Sequence, residues 1–128
     1  MIMQNPQIRD RGNLDAERLV LGLAVATDVG EYAVFRAAAA GGSVTTDITN
    51  VFWFPDHPVK AGDTIVLYTK AGNRKERVNK DGSTSHFFYW GIASPIWTGP
   101  EYVAVIAHID EWLSTLAANA ETADSSAK

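Results

Sequence analysis

The side chains able to do chemistry are few and scattered. The chain has three histidines, His57, His86 and His108, and no cysteine. A thiol nucleophile, a disulfide scaffold and a thiolate metal site are therefore excluded. The histidines lie far apart, and no HxH or HExxH spacing joins them. Asp56-His57 sits in a turn-like stretch with Asp63 soon after, and these three make the one metal set that chain order suggests. Its competing reading, which we prefer, is surface or capping roles for all of them. Ser94 precedes Pro95 in a loop, without the GxSxG elbow of a nucleophilic serine, so a small hydrolase stays a minor alternative. Gly62, Gly91 and Gly99 each close an apolar run, which is turn chemistry, and no phosphate-loop or dinucleotide fingerprint is present. The expectation is a protein with no catalytic, metal or cofactor site.

One segment stands out by charge. Lys70, Arg74, Lys75, Arg77 and Lys80 are five of the chain's 11 basic residues. With Glu76 among them, residues 70–80 carry +5 − 1 = +4, so against a total of −4 the remainder carries −8. A basic finger on an acidic body can find phosphates or an acidic partner by electrostatics. The plainer reading is a solvated hairpin tip. No aromatic side chain lies inside 70–83 to stack on bases.

The aromatic pattern carries more. Neighbours along a strand point to opposite faces. Phe52 and Phe54 thus share one face and Trp53 takes the other, while Phe87 and Tyr89 oppose Phe88 and Trp90. A two-sheet sandwich buries only one face of each sheet. We expect Trp53, Phe88 and Trp90 to lie outward and, with Trp112, Leu113 and Leu116, to form a contact surface for a protein partner or a second copy. The alternatives are cover by the chain's own C-terminal helix, and a sugar-stacking platform.

The elements that must position these residues read as mainly β. At 128 residues, 46% hydrophobic and 20% charged, the chain is one domain's length with ordinary globular composition. Residues 1–16 read as a flexible arm. Residues 19–26 and 32–37 read as a hairpin around the turn cluster Thr27-Asp28-Val29-Gly30, and residues 43–54, 64–69, 86–90 and 102–107 as further strands between Gly, Pro and Asp punctuation. Six or seven short strands imply an antiparallel sandwich or barrel spanning 17–108. Ile109, Trp112, Leu113, Leu116, Ala117 and Ala120 fall on one stripe at helical period, which predicts an amphipathic helix over 109–120, with a disordered tail over 121–128. The first long apolar run, Leu19 to Ala26, comes too late for a secretory signal and at about 8 residues is too short for a membrane span, so the expectation is a cytoplasmic chain without a span.

Two blocks then resemble a known family. The string Phe54-Pro55-Asp56 followed by Ala61-Gly62-Asp63-Thr64-Ile65-Val66-Leu67-Tyr68-Thr69, and the segment Tyr89-Trp90-Gly91 with Ser94-Pro95-Ile96-Trp97, resemble bacterial lamin-tail domains. The stretch Glu31-Tyr32-Ala33-Val34 is similar to that family's opening strand. The resemblance implies an immunoglobulin-like antiparallel β-sandwich that binds or tethers other molecules and has no catalytic residues. It departs from the family where Ala37 or Ala38 replaces the Asn after the opening strand, and where the predicted helix replaces the last strand. The function expected is a non-catalytic protein-interaction or assembly module. Nucleic-acid or acidic-partner binding through loop 70–80, and carbohydrate binding, are the alternatives.

Overall fold

The computed structural model describes residues 1–116, and it is built of strands. They are β1 (Met3–Arg9), β2 (Arg18–Leu23), β3 (Thr27–Asp28), β4 (Tyr32–Ala40), β5 (Ser43–Trp53), β6 (Pro58–Val59), β7 (Thr64–Tyr68), β8 (Lys75–Val78), β9 (Thr84–Tyr89) and β10 (Tyr102–His108). One sheet has the order β1-β2-β7-β9-β8, a second β10-β4-β5, and a two-stranded ribbon pairs β3 with β6. Every pairing is antiparallel except β7 with β9, which run parallel.

The core lies between the two larger sheets. Leu19, Leu21 and Leu23 alternate inward along β2, and Ile65, Leu67 and Phe88 extend that layer across β7 and β9. Tyr32, Val34, Phe52 and Ile106 answer from β4, β5 and β10. Aromatic contacts run through the core from Phe88 to Phe54 (5.1 Å), to Phe52 (5.1 Å), to Trp90 (5.6 Å) and to Trp97 (6.2 Å). Trp97 and Ile96 come from the long connection before β10, yet both are buried.

A buried carboxylate holds that connection in place. Glu17, at the foot of β2, is fully buried. Its Oε2 accepts from the Thr69 hydroxyl (2.6 Å) and the Ile96 N–H (3.0 Å), and its Oε1 from the N–H groups of Trp97 (3.2 Å) and Gly12 (2.8 Å). A loop entering a core must find acceptors for its amides, and one side chain supplies them from a strand that precedes it by most of the domain.

Several expectations change. Residues 3–9 of the supposed arm form β1, because Met3 inserts into the core and Ile8 packs against it. The strand's polar face looks like a free arm only because it is an edge. Residues 19–26 and 32–37 do not make a hairpin: β2 and β4 lie in opposite sheets. The turn between them crosses the sandwich, where Asp28 accepts from the Gly30 and His57 N–H groups (2.8 and 2.9 Å). Of the helix expected over 109–120, residues 109–114 take no regular structure. Trp112 instead packs edge-on against Trp53 (5.1 Å), so its apolar side chain serves a sheet face. Residues 117–120 and the predicted tail lie outside the described residues. No helix among the described residues is long and apolar enough to cross a membrane.

Glu17→Gln turns one acceptor oxygen into a donor facing backbone N–H groups. We expect a loss of about 3 kcal/mol in urea unfolding. A loss below about 0.5 kcal/mol would show that the buried carboxylate is not what holds residues 95–97.

Candidate functional site

Strand β8 divides the basic run into two faces. Directly paired residues share a face of a sheet, and Lys75 pairs with Phe87 while Glu76 pairs with His86. His86 and Phe88 point into the sandwich and are buried, at 4% and 2% exposure, and Phe87 and Tyr89 point outward. Glu76 therefore follows His86 to the inner edge, and Lys75 and Arg77 follow Phe87 to the outer face.

At the inner edge the turn before β6 brings His57 against His86, with ring centroids 5.3 Å apart. Glu76 Oε1 accepts from His57 Nε2 (2.8 Å) and lies 3.1 Å from His86 Nδ1. Behind His86, its Nε2 donates to Asp63 Oδ2 (2.9 Å). Asp63 also accepts from the N–H groups of Lys60 (3.1 Å) and Thr84 (3.0 Å). Burial pushes the Asp63 carboxyl up, but the His86 hydrogen bond and the two amides outweigh it and hold it below the usual range. The hydrogen bond from His57 likewise holds Glu76 low. A groove of about 430 Å³ opens beside His57, Glu76 and His86.

On the outer face, Tyr68 stacks on Tyr89 (5.3 Å, 9°) and on Phe87 (6.4 Å, 26°). Lys70 lies over Tyr68 at 5.0 Å, and Lys75 and Arg77 lie over Phe87 at 5.9 and 5.4 Å. These residues line a groove of about 420 Å³. Gly72 rests on the Tyr89 ring, where a Cβ would overlap it. Arg74 and Lys80 lie outside that groove.

A third surface is the outer face of β10-β4-β5. Its paired rows are Ala107–Ala33–Trp53, Val105–Phe35–Val51 and Val103–Ala37–Ile48. All nine residues are apolar. Val51 and Ile48 are 55% and 45% exposed, while Trp53 donates its indole N–H to the Gly30 carbonyl (2.7 Å).

The six residues expected to form one interaction surface thus divide. Trp53 meets Trp112 on the outer face, where Trp112 is half exposed, with Leu113 and Leu116 following it in exposed positions. Phe88 is a core residue, and Trp90 is half buried against the core. Both correct the expectation of an outward position. Alternation relates neighbours to each other but does not say which face is inside, and here the Phe88 face closes on Phe54. The basic "loop" is also corrected, since residues 75–78 form an edge strand. His57 and Asp63 do meet near His86, but the carboxylate beside His57 is Glu76. Sequence reading missed it because Glu76 sat inside a run judged by its net charge. The usable signal was the strand alternation of Lys75, Glu76 and Arg77.

Comparison with protein-family models, curated proteins and solved structures finds no match to this chain.

Asp63→Ala would leave two backbone amides and a buried imidazole N–H without their acceptor. We expect it to lower stability by about 3 kcal/mol in chemical denaturation. An unchanged midpoint would show that Asp63 is not the anchor of this edge.

Proposed function

We propose that the chain is a non-catalytic protein-interaction and assembly module. It would be an immunoglobulin-like β-sandwich of the kind its resemblance to lamin-tail domains implies. The observation that carries this reading is the apolar grid on the outer face of β10-β4-β5, where Val51 and Ile48 stand exposed beside half-buried Phe35, Val103 and Val105, over a floor that includes the buried Ala33 and Ala37. Contiguous apolar surface facing water is a recognised mark of protein contact sites. A central strand, β4, has side chains of this kind on both faces: Val34 enters the core and Phe35 faces out. The grid holds no charge, so it is complementary to itself, and the partner it fits best is a second copy across a twofold axis. Trp112 on Trp53 borders the same face.

Sedimentation equilibrium over roughly 1–100 μM tests this. We expect the chain to self-associate, and Ile48→Asp with Val51→Asp to weaken association at least about tenfold. Both positions are exposed, so the fold tolerates them. A wild-type chain that stays monomeric throughout would refute twofold assembly through this face.

A specific observation favours a second binding surface. Tyr68, Phe87 and Tyr89 supply, from β7 and β9, the aromatics that residues 70–83 lack, and Lys70, Lys75 and Arg77 gather over them. The rings lie against one another and against Gly72. Their faces are thus largely covered, which suits phosphates at the cations better than sugar rings on a flat strip. An acidic protein segment would meet the same cations. Fluorescence anisotropy with a single-stranded oligonucleotide at low salt should show salt-sensitive binding that Lys75→Glu with Arg77→Glu removes. A flat titration would eliminate the nucleic-acid reading.

A further inference from the structure

We propose that His57, Glu76 and His86 form a site for one divalent late first-row metal ion, Zn²⁺ above all, with Asp63 orienting His86 from behind. These three side chains come from the turn before β6, from β8 and from β9, and their donor atoms all lie within 4.8 Å of one another.

The protonation pattern at His86 is what points to a cation. A carboxylate can only accept, so the bond from His86 Nε2 to Asp63 places a proton on that nitrogen. In the neutral ring Nδ1 then carries a lone pair. It is buried, has no hydrogen-bond partner, and faces Glu76 Oε1 at 3.1 Å. Two electron-rich atoms held 3.1 Å apart, one of them sealed from water, are costly without a positive centre between them. A proton on Nδ1 would meet the charge of Glu76 at 3.1 Å, but without a hydrogen bond to it. A metal ion bonded to both atoms satisfies charge and direction together.

Geometry and donor chemistry agree. Bonds of 2.0–2.1 Å in a tetrahedron put ligand atoms about 3.4 Å apart. The Glu76–His57 and Glu76–His86 separations are 2.8 and 3.1 Å. The side chains of His57 and Glu76 are 23% and 51% exposed, so both have room to adjust. Binding would shift the His57 proton from Nε2 to Nδ1. Two imidazoles and one carboxylate suit Zn²⁺ and its neighbours, whereas Ca²⁺ and Mg²⁺ take oxygen ligands. A carboxylate behind a ligating histidine is the usual means of fixing its tautomer. The fourth position would open to the groove of about 430 Å³, for water or a donor from a partner. The ion would tie β8, whose residues are all exposed, to the β3–β6 ribbon.

The test is calorimetric titration of the full chain, stripped with a chelator, with ZnCl₂ at neutral pH, paired with the visible absorption of Co²⁺. We expect one ion per chain, a tetrahedral-type Co²⁺ spectrum and a rise in Tm with Zn²⁺. His57→Ala and Glu76→Gln should each weaken binding at least about tenfold, and Asp63→Asn by about 10–100-fold. Circular dichroism establishes that His57→Ala and Glu76→Gln keep the fold, which their partial exposure favours. His108→Ala, at the separate His108–Glu31 pair, should bind as wild type. Absence of saturable one-to-one binding, wild-type affinity in both His57→Ala and Glu76→Gln, or loss confined to His108→Ala would overturn the assignment.

Discussion

A carboxylate sealed from water sets the terms for much of this sandwich. Glu17 takes hydrogen bonds from Gly12, Thr69, Ile96 and Trp97. A buried charge is tolerable only when its lone pairs are met. The bonds join the foot of β2, the end of β7 and the connection before β10. Trp97 can then fill the centre of the core although it belongs to no strand. With Trp97 seated, Trp90 and Phe52 have a surface to pack on, and the ring contacts reach across to Phe54 and Phe88. A polar anchor thus lets a loop contribute the largest apolar side chain of the interior.

Alternation along strands then produces two surfaces from single segments. In β8, Glu76 turns to an inner cluster of imidazoles while Lys75 and Arg77 turn to an outer aromatic column. A single negative charge that a net count hides within a basic run is thereby set in a chemical environment of its own. β4 does the same with apolar residues: Tyr32 and Val34 enter the core, and Ala33, Phe35 and Ala37 form the spine of the outer grid. The number of large apolar residues exceeds what one interior can take, and the surplus lies on the outer faces of both larger sheets.

The strands themselves were legible because their causes are local. Leu19, Leu21 and Leu23 alternate with half-exposed neighbours, and the β-branched run of β7 admits little else. The outward placement of Trp53 was also legible, as was the need for some apolar surface beyond the core. Phe88 and Trp90 were misplaced because a period of two gives relative faces only. β1 was overlooked because an edge strand needs few apolar residues. The apolar spacing over 109–116 matched a helix, yet contact between Trp112 and Trp53 gives those residues another way to leave water.

From its residues alone this chain was committed to a β-rich domain with no thiol chemistry, a concentrated basic segment and more aromatic side chains than one core accepts. These follow from side-chain type and short-range period, which act within a few residues. Only the tertiary structure decided that β2 and β4 lie in different sheets, that Glu17 anchors Trp97, and that His57, Glu76 and His86 meet. Each of those depends on which strands pair and in what register. Pairing is settled by the packing of distant segments against one another, and no single stretch of the chain contains that information.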